Sequence, residues 1–458
     1  MRISVIGCGY LGAVHAVCMA KLGHDVVGID IDERKIEALH AGRAVFYEPG
    51  LPELLREVLG TGRLKFSSSM SDAKGAQLHF LCVGTPQQEG KYATDMRYVD
   101  EAFASLLDSL EPGNVVVGKS TVPVGTAARL ADALAERSPD TVLAWNPEFL
   151  REGFAVKDTL SPDRFIYGVP DGEPGAWATA ALDEVYASAL ALGTRRLIAD
   201  YATAELVKVA ANSFLATKIS FINAMAEVCD VAGADVTVLA EALGMDDRIG
   251  RRYLNAGIGF GGGCLPKDIR AFIARADELG AHQALTFLRE VDDINVRRRV
   301  RVVELTRTLV GGSLLGQRIT VLGAAFKPDS DDVRDSPALS IAAQLHLNGA
   351  EVTVTDPRAT LAAQVRFPEL TYEPNLETAM LRADALLLLT EWREYQALTP
   401  EFAAGLVRRR NILDGRNVLD LHRWRLAGWN FRAIGRPYDS ASTDGRAAPK
   451  WVAGKPGK

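Results

Sequence analysis

Short apolar runs alternate with helix-like patterns along the first part of the chain. The runs ISVIG, DVVGID, AQLHFLCVG and NVVVGKSTV are each typical of a buried β-strand, and an apolar helix follows the first of them as far as Lys21. This alternation predicts right-handed βαβ units and a parallel, doubly wound sheet. We place this first domain at residues 1–198, with a loop-rich stretch at residues 169–176.

A different pattern begins at Thr203. The run TAELVKVAANSFLATKISFINAMAEVCDV contains no Gly or Pro and stops before Gly233, which is suited to ending a helix. At about 1.5 Å per residue, this helix would span roughly 40 Å. We predict a helical domain at residues 199–311, with apolar positions such as Leu215, Ile219 and Ile222 buried between two subunits.

A second βαβ series follows the helical region. RITVLG and EVTVTDP are strand-like runs on either side of the helix-like PALSIAAQLHLNG, and ALLLLT predicts a later strand. This third domain is expected at residues 312–437, and residues 438–458, rich in small residues, Pro and Lys, are expected to be disordered. The predicted fold class is α/β, with two doubly wound parallel-sheet domains joined by a long central helix and a helical dimerisation region.

Composition and charge narrow the function without deciding it. The chain is 48% hydrophobic and 24% charged, as in ordinary globular enzymes, and its net charge of −6 argues against nonspecific nucleic-acid binding. No apolar stretch approaches the roughly 20 residues that cross a bilayer, and the N-terminus lacks the features of a signal peptide. We therefore expect a cytoplasmic protein without a membrane partner. Five scattered cysteines predict neither a disulfide framework nor a metal site.

The turn after the first strand carries the pattern GxGxxG. Gly7 permits a tight turn, Gly9 lets the backbone approach a pyrophosphate, and Gly12 lets the helix lie close to the strand. Asp30 ends the second strand, where its carboxylate can bind the adenine ribose and repel a 2′-phosphate. The alternative, three turn glycines in an unrelated fold, is weakened by Asp30. The cofactor expected here is NAD.

A glycine-rich loop, GFGGGCLPKD, presents Cys264 just before Pro266, a residue suited to the first turn of a helix. A thiol beside a helix N-terminus and Lys267 is expected to ionise more easily, as a nucleophile requires. An inert buried cysteine is the alternative for an isolated Cys. The surrounding glycines, together with Lys267 and Asp268, favour the nucleophile.

Other candidates carry weaker signals. Lys208 and Asn212 lie one helical turn apart and can face one oxyanion. A solvated lysine and an asparagine without a role in the site are an equally weighted alternative. Surface solvation is likewise the alternative for the charged groups Glu148, Glu152, Lys327 and Arg334. The segments Gly84-Thr85-Pro86 and Ser120-Thr121 follow predicted strands, where ligand sites of parallel sheets lie.

The chain resembles the UDP-glucose/GDP-mannose dehydrogenase family from Met1 to about Arg436. The resemblance rests on blocks in one order: GCGYLG, CVGTP, KSTVPVGT, NPEFLREG, ELVKVAANSFLATKISFINA, GFGGGCLPKD, GAAFKPDSDDVRDSP and DGRNVLD. Within the family, FLATKISFINA and Arg248-Ile249-Gly250 are more similar to members that act on UDP-glucose than to those that act on GDP-mannose.

The resemblance implies an NAD-binding Rossmann domain, a dimer-forming helical centre and a C-terminal Rossmann-like domain that holds UDP. It implies a two-step oxidation of UDP-glucose to UDP-glucuronate through a thiohemiacetal and a thioester on Cys264. Lys208 and Asn212 would stabilise oxyanions, and Asp268 would support Lys208 and the catalytic water. Glu152, Thr121 and Glu148 would serve proton transfer and thioester hydrolysis.

The resemblance also implies two sets of binding residues, with Arg248 reaching across from the adjacent subunit of a homodimer. The cofactor set comprises Gly7, Gly9, Tyr10, Leu11, Gly12, Asp30, Lys35, Val83, Gly84, Thr85, Pro86, Ser120, Thr121, Glu152, Cys264, Lys267 and Arg334. The nucleotide-sugar set comprises Glu148, Phe149, Leu150, Arg151, Glu152, Lys208, Asn212, Arg248, Tyr253, Leu254, Asn255, Gly257, Gly261, Cys264, Phe326, Lys327 and Arg416.

Two positions depart from the family pattern. Gly263 stands where Ser or Tyr often precedes the nucleophile, and Asn255 stands where some relatives have Lys. These departures leave open the same chemistry on another nucleotide sugar, such as TDP-glucose, UDP-N-acetylmannosamine or GDP-mannose. An NAD-binding regulatory protein without turnover is the alternative of a different class, and the joint presence of Cys264, Lys208 and Asp268 argues against it.

Overall fold

The structure, a computed structural model, describes residues 1–437. Fourteen strands occur in this part of the chain: β1 Arg2–Ile6, β2 Asp25–Ile29, β3 Leu64–Ser67, β4 Leu78–Leu81, β5 Val115–Gly118, β6 Val142–Trp145, β7 Arg164–Gly168, β8 Arg195–Ala199, β9 Arg318–Leu322, β10 Glu351–Thr355, β11 Thr371–Tyr372, β12 Ala385–Leu388, β13 Asn411–Asp414 and β14 Asn430–Ala433. The tail expected to be disordered, residues 438–458, lies outside the described residues.

Helices connect and cover these strands. The α-helices are α1 Tyr10–Lys21, α2 Glu33–His40, α3 Leu51–Gly60, α4 Arg97–Leu107, α5 Thr126–Arg137, α6 Ala155–Leu160, α7 Glu173–Val185, α8 Ala187–Ala191, α9 Tyr201–Ala232, α10 Val236–Gly244, α11 Leu265–Glu278, α12 Thr286–Leu309, α13 Pro337–Leu347, α14 Thr360–Arg366, α15 Leu376–Met380, α16 Arg393–Gln396, α17 Pro400–Ala404 and α18 Leu421–Leu426, and a 3₁₀ turn spans Met70–Ala73. Within residues 1–437, no helix is long and apolar enough to cross a membrane.

The N-terminal sheet has the strand order β3-β2-β1-β4-β5-β6-β7-β8. The first six strands are parallel, so the predicted doubly wound sheet is confirmed. The β7–β8 pair extends it in the opposite direction, through a single antiparallel bridge between Trp145 and Gly168. The connection between β6 and β7 runs over residues 146–163 and contains α6. Strands β3, β7 and β8 were not anticipated from the sequence.

The predicted long helix is confirmed as α9, which extends two residues earlier than expected. The Asp200 carboxylate caps its N-terminus by accepting a hydrogen bond from the Thr203 N–H at 2.8 Å. Gly233, with φ of 71°, ends it in the left-handed conformation that glycine adopts most easily. The helix lies against α11 and α12 and reaches both sheets' cores.

One expectation about this helix is wrong. Ile222 is fully buried inside the chain, in the core that also holds the C-terminal sheet. It is therefore not available for contact with a second subunit. The exposed apolar side chains of α9 include Phe214, Phe221 and Val228, because the contacts with α11 and α12 decide which face of the helix is covered.

The C-terminal sheet repeats the first six-strand order. Its strands follow one another as β11-β10-β9-β12-β13-β14, and every pair is parallel. Its central strands are buried on both faces, as their apolar sequences predicted. In parallel sheets of this kind, ligands bind at the carboxyl ends of the strands. Both such edges contribute residues to the site described next.

Candidate functional site

The two domains meet at loops that follow their strands. The Lys327 ammonium, in the loop after β9, donates a hydrogen bond to the backbone carbonyl of Glu152, in the loop after β6. The Ser330 hydroxyl donates to the Glu152 carboxylate at 3.1 Å. The Asp331 carboxylate accepts a hydrogen bond from the Tyr47 N–H at 3.0 Å. These contacts join the two domains at a junction that we call the cleft.

The glycine-rich turn after β1 lies next to this junction, where the Gly153 N–H donates to the Tyr10 hydroxyl at 3.2 Å. The N–H of Gly7, with φ of +89°, donates to the Ile29 carbonyl at 2.7 Å, and a side chain there would lie 2.9 Å from Val83. Gly12 lies against the Gly7 carbonyl, where a Cβ would overlap it. Both contacts explain why these positions hold glycine.

This turn fits a dinucleotide. Helix α1 begins directly after Gly9, and no side chain caps its first N–H groups within the described residues. A Cβ on Gly9 would meet open space, so a phosphate can approach the helix N-terminus there. Asp30 accepts hydrogen bonds from the Cys8 N–H at 2.8 Å and the Asp32 N–H at 3.0 Å. Its carboxylate keeps acceptor capacity for ribose hydroxyls.

Other residues expected to bind the cofactor lie along the same edge. Lys35 is 3.5 Å from the Asp30 carboxylate, and the Ser120 hydroxyl donates to the Val83 carbonyl at 2.7 Å. Lys267, on α11, approaches the Thr85 hydroxyl at 3.4 Å. The loops after β1, β2, β4 and β5 therefore converge with the start of α11.

Cys264 immediately precedes α11, and its side chain is accessible to solvent. Surrounding protein nevertheless desolvates the sulfur, and this burial, with the nearby Asp268 carboxylate, raises the pKa of Cys264 to about 12 against the lowering effect of Lys208. The expectation of an easily ionised thiol is therefore wrong for the free chain. The carboxylates gathered around Cys264 outweigh the lysine, and no pattern along the chain indicated how many would meet there.

Lys208 is buried beside Glu148. Its ammonium lies 2.9 Å from the Glu148 carboxylate and 5.6 Å from the centre of the Phe149 ring. Burial disfavours the ammonium, but Glu148, then Cys264 and Asp268, favour it more strongly, so the pKa of Lys208 is raised. Lys208 therefore carries a positive charge at neutral pH.

Asn212 and Asp268 form a second buried pair. The Asn212 amide donates to the Asp268 carboxylate at 2.6 Å, and the Lys267 ammonium lies 2.7 Å from the other carboxylate oxygen. Asp268 acts on Lys208 through its charge, as the resemblance implied, but its side-chain hydrogen-bond partners are Asn212 and Lys267. Lys208 is paired with Glu148 instead. Asp268, Lys267 and Thr121 also line one small cavity.

Glu152 is buried at the domain junction. The Arg334 guanidinium donates to its carboxylate at 3.3 Å, and the Ser330 hydroxyl donates to the other oxygen. Burial and the neighbouring Asp332 raise the pKa of Glu152 to about 7, although Arg334 and Lys327 act in the opposite direction. A carboxyl group with this pKa can accept and release protons near neutral pH.

Most residues expected to bind the nucleotide sugar surround the Cys264 loop. The Phe326 ring lies against Gly262, and Arg416 donates to the carbonyls of Leu389, Gly259 and Phe326 at 2.7, 3.3 and 3.2 Å. Arg416 therefore joins the C-terminal sheet to the loop. A side chain on Gly261 would overlap the Asp335 carbonyl, which keeps the backbone close.

The remaining residues expected to bind the nucleotide sugar make their contacts away from the Cys264 loop. Tyr253 has φ of +66°, and Leu254 is buried in the core. Arg251 donates to the Asn255 side chain at 2.8 Å, and the Gly257 N–H donates to the Asn223 side chain at 2.8 Å. The Leu150 N–H donates to the Glu148 carboxylate at 2.7 Å.

Two arginines expected to bind the nucleotide sugar form ion pairs with nearby aspartates at the surface. Arg151 forms a two-point ion pair with Asp158, with distances of 2.8 and 2.7 Å. The Arg248 side chain is 88% exposed and contacts Asp246 at 2.6 Å. The chain by itself does not bring Arg248 into the cleft.

Two buried groups near the site were missed from the sequence. Glu48 accepts hydrogen bonds from the Tyr10 hydroxyl and from the N–H groups of Gly153 and Ala155, the latter two at 2.7 Å each. It thus ties the glycine-rich turn to the Glu152 loop. Its place in YEPG looks like an ordinary turn, so the sequence offered no signal.

Lys119 is the second missed group. Its ammonium hydrogen-bonds the Asn146 side-chain oxygen at 2.9 Å and the Tyr186 hydroxyl at 3.3 Å. Burial lowers the pKa of Lys119 to about 8. The available signal was a lysine at the end of an apolar strand, directly before Ser120 and Thr121. Lys119 holds the start of the segment that carries Glu148.

Family models match nearly the whole described chain. The UDP-glucose/GDP-mannose dehydrogenase models match in three parts: the NAD binding domain at residues 1–190, the central domain at residues 202–297 and the UDP binding domain at residues 320–421. This chain belongs to that family. It is therefore an NAD-dependent oxidoreductase, and the expected cofactor is confirmed.

Individual relatives agree with the family. A UDP-glucose 6-dehydrogenase of Rhizobium meliloti (strain 1021) is 39% identical over 447 residues, covering 95% of this chain and 100% of the relative. A UDP-glucose dehydrogenase structure from Pyrobaculum islandicum superposes with a TM-score of 0.86 at 37% identity, covering 95% and 98% of the two chains. A UDP-D-ManNAc dehydrogenase structure from Pyrococcus horikoshii reaches a TM-score of 0.82 at 29% identity, covering 95% and 99%.

Proposed function

We propose that this enzyme oxidises UDP-glucose to UDP-glucuronate, using two NAD molecules for each sugar. The observation that carries the proposal is the accessible Cys264 thiol, which lies near enough to Lys208 and Glu152 for both charges to affect its ionisation. A single alcohol oxidation needs no nucleophile, whereas oxidation to an acid gains from one. The UDP-glucose 6-dehydrogenases among the relatives support the choice of sugar nucleotide.

Residues along the N-terminal edge would hold the cofactor. The α1 N-terminus would receive the pyrophosphate, Asp30 the adenine ribose, and the Thr85 and Ser120 loops the remainder. When bound, NAD supplies the hydride acceptor for both oxidations. Phe326, Lys327 and Arg416 would hold the nucleotide diphosphate at the opposite edge, so that the sugar reaches Cys264 between them.

The first oxidation leaves an aldehyde at C6. The Cys264 sulfur then bonds to this carbon, and the thiol proton passes to the carbonyl oxygen, which gives a thiohemiacetal. A pKa of about 12 leaves little free thiolate, so proton loss accompanies the attack. The Lys208 ammonium and the Asn212 amide donate hydrogen bonds to the oxygen as it gains negative charge. Covalent capture also retains the reactive aldehyde.

The second oxidation removes the remaining hydrogen at that carbon as hydride and the hydroxyl hydrogen as a proton, which yields a thioester. A water oxygen then attacks the acyl carbon, the C–S bond breaks, and the Cys264 sulfur recovers a proton. Glu152, with a pKa raised to about 7, accepts the proton of the attacking water. Glu148 and Thr121 would position that water, with Asp268 holding Asn212. Overall, one UDP-glucose, one water and two NAD⁺ would give one UDP-glucuronic acid, two NADH and two protons.

We also propose that two chains form the working dimer. Phe214, Phe221 and Val228 on α9 are 68%, 46% and 57% exposed and repeat every seventh residue, so they share one face. The exposed Arg248 would reach the partner's nucleotide sugar. Light scattering of the wild type and of Phe221→Asp tests this: a monomeric wild type that stays active at assay dilution would contradict the shared site.

A panel of nucleotide sugars tests the reaction. UDP-glucose, TDP-glucose, UDP-N-acetylmannosamine and GDP-mannose are incubated with NAD, and NADH is followed by absorbance while the sugar product is identified by mass spectrometry. We expect two NADH for each UDP-glucose, and slower turnover of the others. Preference for another sugar would retain the proposed chemistry but change the assigned substrate. The absence of turnover with all four, in protein that binds NAD, would indicate the regulatory alternative.

A further inference from the structure

A larger residue at Gly263 is opposed by the space around it and not by its backbone conformation. Its neighbours Gly259 and Gly262 have φ of +99° and +84°, the region that favours glycine, but Gly263 lies outside that region. A Cβ on Gly263 would overlap the guanidinium of Arg334. The missing side chain of the residue before Cys264 therefore makes room for this arginine.

The two backbones cannot move apart easily to relieve such an overlap. The Gly262 N–H donates to the Arg334 carbonyl at 2.9 Å, and the Gly263 N–H donates to the Asp332 carboxylate at 3.3 Å. The Gly261 position lies against the Asp335 carbonyl. Because the loops are joined at these points, the flexible guanidinium is the group that a larger residue would displace.

The displaced group would be the partner of Glu152. The Arg334 guanidinium contacts the Glu152 carboxylate at 3.3 Å and the Asp332 carboxylate at 2.7 Å. The Asp332 carboxylate raises the pKa of Glu152, whereas the Lys327 ammonium and the Ser330 hydroxyl lower it. The Glu152 charge in turn raises the pKa values of Tyr10 and Cys264. Of the groups that act on Glu152, Arg334 is the cation whose position depends on Gly263.

We propose that Gly263 is a positioning residue: it lets Arg334 lie beside Cys264 and hold Glu152 in the ionised form that accepts a proton from water. The inference rests on the proposed function, because it assigns Glu152 to thioester hydrolysis. Gly263 itself touches no reacting atom. It acts through Arg334, which remains in the protein whatever replaces the glycine.

The consequence is a changed pH dependence. Glu152 already has a pKa raised to about 7, and Arg334 acts to lower it. Loss of that guanidinium raises the pKa further, so a larger share of Glu152 is protonated at neutral pH. If Glu152 becomes about tenfold weaker as an acid, its ionised fraction on the acidic side of the profile falls about tenfold. Activity then returns at higher pH.

Gly263→Ala is the direct test. We expect the acidic limb of the kcat profile to move to higher pH and kcat at about pH 6 to fall about tenfold, with recovery above about pH 8. Arg334→Gln is expected to move the limb in the same direction, and the double variant to move it no further than Arg334→Gln alone. A crystal structure of Gly263→Ala is expected to show the guanidinium away from Glu152.

Gly60→Ala is the matched control, because a Cβ there meets open space and its φ is also outside the left-handed region. Its profile is expected to coincide with that of the wild type. An unshifted limb in Gly263→Ala, or additive shifts in the double variant, would overturn the inference. A wild type that turns over no nucleotide sugar would instead overturn the proposed function, and the two failures are distinguished in this way.

Discussion

The turns that follow β1 and β9 occupy the same position in their two sheets but differ in which groups they present to a ligand. Gly7 donates to the Ile29 carbonyl at 2.7 Å, and Gly323 donates to the Thr355 carbonyl at 2.8 Å. Both have positive φ, 89° and 114°. Gly7 also lies against Val83, in the loop after the neighbouring strand β4. Gly323 likewise lies against Thr390, in the loop after the neighbouring strand β12. The two backbones therefore begin alike.

The carboxylates at the ends of β2 and β10 separate the two sites. Asp30 receives two backbone N–H groups, whereas Asp356 receives five N–H groups, from Ala324, Ala325, Trp392, Arg358 and Ala359. A carboxylate offers about four lone-pair directions. Asp356 is therefore saturated by its own domain, while Asp30 can bind a ligand. One fold position serves recognition in one domain and stability in the other.

The connections after the turns differ as well. Helix α1 begins at Tyr10, three residues after Gly7, while α13 begins only at Pro337, so a long loop follows Gly323. That loop carries Phe326, Lys327 and Arg334 into the cleft. The first edge therefore presents a helix N-terminus to phosphate, and the second presents cations and a ring. Four predictions test this division, from the largest expected effect to the smallest.

Replacing Cys264 tests whether the reaction depends on this thiol, which lies at the edge of neither sheet. Cys264→Ala is expected to lower conversion to the acid by roughly a thousandfold or more, because no adduct can form. Binding of NAD and UDP-glucose, followed by calorimetry, is expected to persist. Cys264→Ser serves as the companion variant and is expected to accumulate a covalent ester, detected by intact-protein mass spectrometry. Two NADH per sugar at near-normal rate from Cys264→Ala would exclude the covalent route.

Asp356→Ala tests the structural role of the second carboxylate. We expect a loss of roughly 3 kcal/mol in the free energy of unfolding, because buried N–H groups lose their acceptor. Urea denaturation measures it, with Asp30→Ala as the matched control at the same position of the first sheet. Equal stability losses in the two variants would show that the two carboxylates are not divided in this way.

Lys327→Met tests the cations of the long loop. Removal of the charge is expected to raise the KM for UDP-glucose by roughly 10- to 100-fold, with a smaller change in kcat, since the diphosphate is bound in ground and transition states alike. The KM for NAD is expected to change little. A large drop in kcat at constant KM would place Lys327 near the reacting carbon instead.

Asp30→Ala tests the first carboxylate as a recognition residue. We expect the KM for NAD to rise about tenfold, since one or two hydrogen bonds to a charged group are lost. Discrimination against NADP is expected to weaken, because the repelling charge is gone. Parallel kinetics with both cofactors measure this. Equal use of NAD and NADP by the wild type would already contradict the assignment.

Local patterns predicted the elements with strong periodicity. The long helix was expected to start at Thr203 and starts at Tyr201, and its stop at Gly233 is confirmed. The central strands of both sheets were also predicted, because buried parallel strands are continuous apolar runs. The strands β3, β8, β11 and β14 were missed, since their exposed or mixed faces leave no such run. The strands β7 and β13 were also overlooked, although both are buried.

The site divides in the same way. The sequence alone determined which residues could do chemistry: the glycines and acid of a dinucleotide turn, one thiol in a glycine-rich loop, and polar side chains at strand ends. Only the tertiary structure decided how these groups affect one another. It buried Glu48 and Lys119 as supports, paired Asp268 with Asn212, saturated Asp356 while leaving Asp30 open, and surrounded Cys264 with carboxylates that oppose its ionisation. Such effects depend on distances between segments far apart in the chain, because desolvation and Coulomb interactions act through space.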